Sequence, residues 1–229
     1  MEIRLLSLLE GARQAEGTAI IIDVYRAYTT AAVAFERGVE KIILVAEVEE
    51  ALALRAKGLG DLCVGEVEGK RPAGFDFGNS PHEIAAADLR GKTLIQSTRA
   101  GTVGAVAARR AARIYAGSLL IARATARAVL RQGPALVSIV AMGNRGTVRT
   151  DEDEQCALYI RNLLEGRKPE PAALRSLVAS GGETAKFDDP EQPQYHPEDR
   201  DRALQVDAVD FAIEVERVEG LLVARRAEG

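Results

Sequence analysis

Short apolar runs alternate along this chain with stretches of helical period. "TAIIIDV" (18–24), "KIILVA" (41–46), "DLCVGE" (61–66), "KTLIQS" (92–97), "RIYAGS" (113–118) and "ALVSIVAMG" (135–143) read as strands. They are apolar on consecutive positions, as strands covered on both faces must be. Between them, helices are predicted over 26–38, 47–58, 80–87, 101–111, 119–133 and 151–166. This alternation predicts an α/β protein, three layers deep, with a mostly parallel or mixed sheet between helices. After Gly166 the texture changes to proline and acid, with a short helix over 171–179, a loop, and a C-terminal β-hairpin turning at Glu219-Gly220. One domain over 1–229 is expected, with 167–229 as a candidate smaller lobe.

The helix at 80–87 carries a written start signal. Ser80 can cap, Pro81 suits the first helical position, and Glu83 stands three residues after the cap. The residues before it, "GFDFGN", place an acid, Asp76, between two phenylalanines and two glycines. A plain loop needs no such acid, whereas a metal or phosphate site would.

Ligands of such sheets sit beyond the carboxyl ends of the strands. There the sequence offers Asp23 and Arg26, then Glu66 and Asp76 with Asn79, then Ser97, Thr98, Arg99, Gly101 and Thr102, then Asn144, Arg145 and the acids 151–154. "STRAGT" joins a strand to a helix, and free N–H groups at a helix start can bind phosphate. Carboxylates nearby can hold Mg²⁺, which prefers oxygen ligands. Asp23, Glu66 and Asp76 are the candidate metal ligands, with Asp153 in reserve. Asp23, Arg26, Asp76 and Asn79 are the candidate catalytic residues, and the hydroxyl, glycine, asparagine and arginine positions just named the candidate phosphate and substrate contacts. Metal, phosphate and water together point to hydrolysis of a phosphate ester. Each element also has a structural alternative. Asp23 can cap a helix, the "DEDE" run suits a helix N-terminus, Arg26 can pair with an acid, Phe75 and Phe77 can be core, and Asp76 can bond loop amides.

Composition narrows the field. The chain has 229 residues, 47% hydrophobic and 28% charged, with a net charge of −4, so a soluble globular protein is expected and nucleic acid is not an obvious partner. No run is long enough to span a membrane, and "MEIRLLSLLEGARQ" lacks the order of a signal peptide, which predicts a cytoplasmic protein. The two cysteines, Cys63 and Cys156, match no metal spacing and read as buried thiols. With His82 and His196 the only histidines, carboxylates, hydroxyls and amides must carry any chemistry. The partner expected is a small anionic phosphoester; a homodimer is left open.

The blocks "IIIDVYRAYTT", "VGEVEGKRPAGFDFGNSP", "LIQSTRAGT", "AMGNRGTVRTDEDEQCA" and "DRDRALQVDAVDFAIEV" together cover most of the chain. In this order they resemble the 2-phosphosulfolactate phosphatase family of coenzyme M biosynthesis, and "GFDFGNSP" is the most specific of them. The resemblance implies a family-specific α/β phosphatase fold, Mg²⁺ dependence, and removal of phosphate from a three-carbon sulfonated acid to leave sulfolactate. Two loops depart from the family pattern. Val67 follows Glu66 where the family usually has arginine, and Arg99 and Ala100 stand where it usually has Asn and Gly, as though a positive charge had changed loops. Two rival readings remain. A haloacid-dehalogenase-type phosphatase would use Asp23 as nucleophile, but Tyr25 occupies the place of its second acid. A non-catalytic anion-binding regulator would use the same loops without turnover.

Overall fold

The structure, a computed structural model, describes residues 1–229. Its strands are β1 (Glu2–Ser7), β2 (Gly17–Ile22), β3 (Lys41–Val45), β4 (Leu62–Gly65), β5 (Thr93–Ser97), β6 (Ala111–Gly117), β7 (Leu136–Ala141), β8 (Phe211–Val218) and β9 (Leu221–Glu228). Its helices are α1 (Leu8–Gln14), α2 (Ala27–Glu36), α3 (Val48–Ala56), α4 (Pro81–Ala86), α5 (Gly101–Ala107), α6 (Ala122–Gln132), α7 (Asp151–Leu164), α8 (Pro171–Ala179) and α9 (Pro197–Ala203), with 3-10 turns at Leu119–Ile121 and Gly182–Asp188. All nine strands form one mixed sheet in the order β1-β7-β2-β6-β8-β9-β3-β5-β4.

β1, β7, β2 and β6 are mutually parallel, and so are β3, β5 and β4. The hairpin β8–β9 lies between the two sets and pairs antiparallel on both sides. Three antiparallel steps reverse the sense of the second set, yet the loops that follow β2, β4, β5 and β7 meet in one place. The sheet must therefore twist and wrap through the hairpin. The hairpin turns at Glu219 and Gly220, both with positive φ (51° and 85°), the conformation that two-residue hairpin turns require.

The strand residues alternate between two cores. Ala19 and Ile21 face one cluster, which also holds residues of α1, α2, α4 and α5; Ile20 and Ile22 face another, built with α6, α7 and α8. A third cluster, with Ile43, Val45, Cys63 and Ile95, packs against α3. α2 is buried from Ala27 through Phe35, as its all-round small and apolar sequence permits. Helices on both faces of the sheet complete the three layers.

β1, α1, α9 and the turn at 182–188 lie outside the sequence-based elements. β1 is an edge strand of irregular exposure, and only Asp199 and Ala203 of α9 are buried, so neither carries a periodic signature. Ser80 caps α4, accepting Glu83 N–H at 3.2 Å, but the Glu83 carboxylate reaches past the cap to Gly78 N–H at 3.0 Å. The expected helix over 101–111 stops at Ala107, and Ala111 already belongs to β6. Both cysteines are free and buried.

Candidate active site

Three carboxylates at the strand ends are each gripped by two backbone amides. Asp23, just past β2, accepts Ala27 N–H at 3.0 Å and Gly101 N–H at 2.8 Å on its two oxygens. Glu66, just past β4, accepts Arg99 N–H and Gly69 N–H, both at 2.7 Å. Asp153, near the start of α7, accepts Val24 N–H and Gly143 N–H, both at 2.8 Å. Amides two residues apart in the loop after β5 thus hold Glu66 and Asp23 side by side. Gly101 is required for this approach, because a Cβ there would stand 2.9 Å from both Ala27 Cβ and Asp23 Oδ2.

Asp23 and Glu66 line a cleft of about 290 Å³, of whose 18 lining residues only three are hydrophobic, which marks it for a polar ligand. Arg26, Asn79, Arg99, Asn144 and Arg145 line it too. Six of the positions singled out in the sequence do not. Asp153 is buried and does not line the cleft. Thr98 and Thr102 bond one another's backbone and hydroxyls, and Ser97 Oγ turns to Ala46 O at 3.4 Å. Gly101 contributes through its amide to Asp23. The N–H groups of Thr98, Arg99, Gly101 and Thr102 all have protein acceptors, two of them the cleft carboxylates Glu66 and Asp23.

Asp76 is the sixth. Its carboxylate accepts Cys63 N–H and pairs with Arg55, both at 2.8 Å, while Asp76 N–H and Phe77 N–H both donate to Cys63 O. β4 is an edge strand, and the "GFDF" segment covers that edge. Phe75 turns into the core beside α3, and Phe77 packs against the core that includes α2. The acid between two phenylalanines thus satisfies an edge donor between two anchors.

Arg26 is a hub. Its guanidinium donates to Asp199 Oδ2 at 2.7 Å, to Gln194 O at 2.8 Å and to Gly69 O at 3.2 Å, with the Tyr195 ring 4.6 Å away. Asp199, at 0% exposure, also accepts Ser80 Oγ–H at 2.7 Å and His82 N–H at 2.9 Å. This pair ties the segment 182–199 to the end of β2 and to the α4 cap. A side chain at Gly69 would strike Tyr195 Oη at 2.2 Å, so that ring closes directly over the loop after β4.

The segment brings groups that the sequence did not single out, Glu183, Lys186, Gln192 and Tyr195; Tyr25, Glu68 and Thr150 also line the cleft, as does Glu152 from the acidic run 151–154. The signal for the segment was thin. "ETAKF" and "QYHPED" interleave aromatic and charged residues inside a stretch that otherwise reads as a solvated loop. Every cation lining the cleft is paired: Arg26 with Asp199, Arg99 with Glu47, Arg145 with Glu68 and Lys186 with Glu183. Asp23, Glu66 and Glu152 pair with none. Burial, reinforced by the nearby Glu66 and opposed by the two amides, pushes Asp23 up to about 6. Burial raises Glu152 to about 7, and burial with its acidic neighbours pushes Asp153 well above the usual carboxylate range. Asn79 Oδ1 is buried without a partner.

Unpaired buried carboxylates beside an orphaned amide oxygen fit a hard cation. No three His, Cys, Asp or Glu side chains enclose an ion by themselves. Mg²⁺ is commonly held by one or two carboxylates, with water and phosphate oxygens completing its shell.

The family model described as 2-phosphosulpholactate phosphatase matches residues 5–187. The chain belongs to the 2-phosphosulfolactate phosphatase family. These are phosphoric monoester hydrolases. A relative from Bacillus subtilis named "Probable 2-phosphosulfolactate phosphatase" is 34% identical over 201 residues, 86% of each chain. Relatives of the same name from Carboxydothermus hydrogenoformans (35% over 193 residues, 84% of this chain and 79% of the relative) and Deinococcus radiodurans (36% over 147 residues, 64% and 61%) are similar. The matched span includes Asp23, Glu66, Asn79, Glu152 and Lys186, and so contains most of the cleft. No helix is long and apolar enough to cross a membrane.

Proposed function

We propose that this chain is a cytoplasmic, Mg²⁺-dependent phosphatase acting on 2-phosphosulfolactate, releasing sulfolactate and phosphate. The observation that carries this reading is the cleft floor: Asp23 and Glu66, unpaired and side by side, facing cations that all carry exchangeable or fixed acid partners. The substrate is the one named for the relatives, and its phosphate, sulfonate and carboxylate suit a cleft with four cations on its walls. Asp23 and Glu66 would hold Mg²⁺, with Asn79 Oδ1 as a third oxygen. When bound, the ion supplies positive charge to the phosphoryl oxygens.

The chain's own residues do the rest. The amides of Ala27, Gly101, Arg99 and Gly69 keep the two carboxylates from rotating. Arg99 and Arg145 at the mouth can leave their surface acids for an oxyanion, since exposed ion pairs are worth only about 0–1 kcal/mol. Water is the preferred attacking group. It forms the new P–O bond in line as the bond to the sulfolactate oxygen breaks, and that oxygen leaves with the electron pair and takes up a proton. Asp23 is not the preferred nucleophile, because Tyr25 stands where an aspartyl nucleophile usually has a second acid to assist it.

Phosphate release by the purified chain tests the reading, with phosphosulfolactate, phospholactate, phosphoglycerate and para-nitrophenyl phosphate, with Mg²⁺ or with chelator. Release from all four is expected, with the highest kcat/KM for phosphosulfolactate and a large loss in chelator. No release from any would favour an anion-binding protein. A generic ester as good as phosphosulfolactate would remove the proposed substrate and leave the phosphatase.

A further inference from the structure

We propose that Lys186 is the selectivity residue of the cleft, binding the anionic group of the substrate that lies beyond the phosphate. This deepens the reading above and rests on it.

The cations of the cleft differ in their freedom to move. Arg26 is 3% exposed and fixed by three acceptors, so it cannot turn to a ligand without dismantling the hub. Arg99 and Arg145 sit at the mouth, with side chains 39% and 56% exposed, where water screens their charge. Lys186 is the enclosed exception, at 18%. Its ammonium lies 5.8, 5.6 and 5.1 Å from the ring centres of Tyr25, Phe187 and Tyr195. The rings brace one another edge to face, Phe187 with Tyr25 at 4.9 Å and with Tyr195 at 5.6 Å. A cation against aromatic faces, shielded from water, interacts with an anion more strongly than one at the rim.

The partner of Lys186 can also be exchanged, because it is a local one. Glu183 stands three residues back on the same 3-10 turn, at 2.8 Å and 29% exposed. An incoming anion can displace Glu183 toward solvent while the turn stays in place. A compact ammonium on a flexible stem suits that swap better than a fixed guanidinium. On the floor, the amides of Ala27, Gly69, Arg99 and Gly101 are already taken by Asp23 and Glu66. The wall formed by 182–195 faces the same cleft, and Lys186 is its only cation lining it.

Equilibrium binding separates the two ends of the substrate. Calorimetry of the full chain is run with sulfolactate, which carries the far anions without the phosphate, and with inorganic phosphate. Lys186→Gln is expected to weaken sulfolactate roughly 10-fold or more, the scale of one charge-assisted hydrogen bond, and to leave phosphate within about 2-fold. Glu183→Gln removes the competitor and is expected to strengthen sulfolactate more than phosphate. Equal losses for both anions in Lys186→Gln, unchanged sulfolactate binding, or a parent chain that binds phosphate or neither anion but not sulfolactate would each overturn the assignment. Because binding is read without turnover, a protein that binds as expected but releases no phosphate would defeat the phosphatase reading and leave Lys186 in its role.

Discussion

The floor and the C-terminal wall of the cleft are built by opposite means. On the floor, strand ends present main-chain amides, and six of them fix Asp23, Glu66 and Asp153. On the wall, residues 182–199 are held by side chains: the buried Arg26–Asp199 pair, the Ser80 hydroxyl on Asp199, and the rings of Tyr25, Phe187 and Tyr195. A floor made of backbone cannot rearrange without unpairing strands. A wall made of a few side-chain contacts can be adjusted to the ligand. Under the proposed function, this contrast would put the chemistry on the floor and the choice of substrate on the wall.

The contrast can be broken at its one strong joint. Asp199→Asn leaves the Arg26 cation buried beside a neutral partner, and removing one member of a buried pair costs about 3–5 kcal/mol. Denaturant unfolding is expected to show a loss of that order. If instead stability changes by less than about 1 kcal/mol, the wall is held by something other than this pair.

A smaller effect sharpens the floor. Asp23 is raised to about 6 in the folded chain, against an ordinary value of 3.8. A carboxyl whose folded pKa is raised favours folding fully below the unfolded value, and that contribution is lost as pH rises through the folded one. Without divalent cation, Asp23 therefore penalises the native state progressively from about pH 4 to about pH 6. Asp23→Asn should gain melting temperature relative to the parent chain as pH rises through that window, and Mg²⁺ should diminish the gain. A pH-independent difference between the two chains would mean that Asp23 titrates normally.

Much of the frame was legible because it depends on periodicity. Apolar runs gave β2 through β7, and a turn at Glu219-Gly220 gave the hairpin. The hairpin's position in the middle of the sheet was not legible, since pairing between distant segments leaves no local pattern. Asp23, Glu66 and Asn79, which line the cleft, could be singled out because acids and amides at strand ends are visible as such. Asp76 was read as a ligand because its aromatic neighbours marked it, while the edge donor at Cys63 that it satisfies is visible only in the fold. The start of α5 was read as a phosphate seat, but whether its N–H groups are free depends on Asp23 and Glu66, from other strands. Lys186 and Asp199 sit in charge-rich stretches that resemble solvated surface, and only burial distinguishes them.

The separation of floor chemistry from edge-strand structure is tested most directly by two isosteric changes assayed side by side. Phosphate release from phosphosulfolactate is measured at saturating substrate and Mg²⁺ for Asp23→Asn and Asp76→Asn, each confirmed folded. The account predicts that Asp23→Asn lowers kcat at least about 100-fold, as loss of a group at the reacting centre does, while Asp76→Asn keeps kcat within a few-fold and loses about 1–3 kcal/mol of stability. An Asp76→Asn chain of unaltered stability and abolished turnover, or an Asp23→Asn chain as active as the parent, would contradict it.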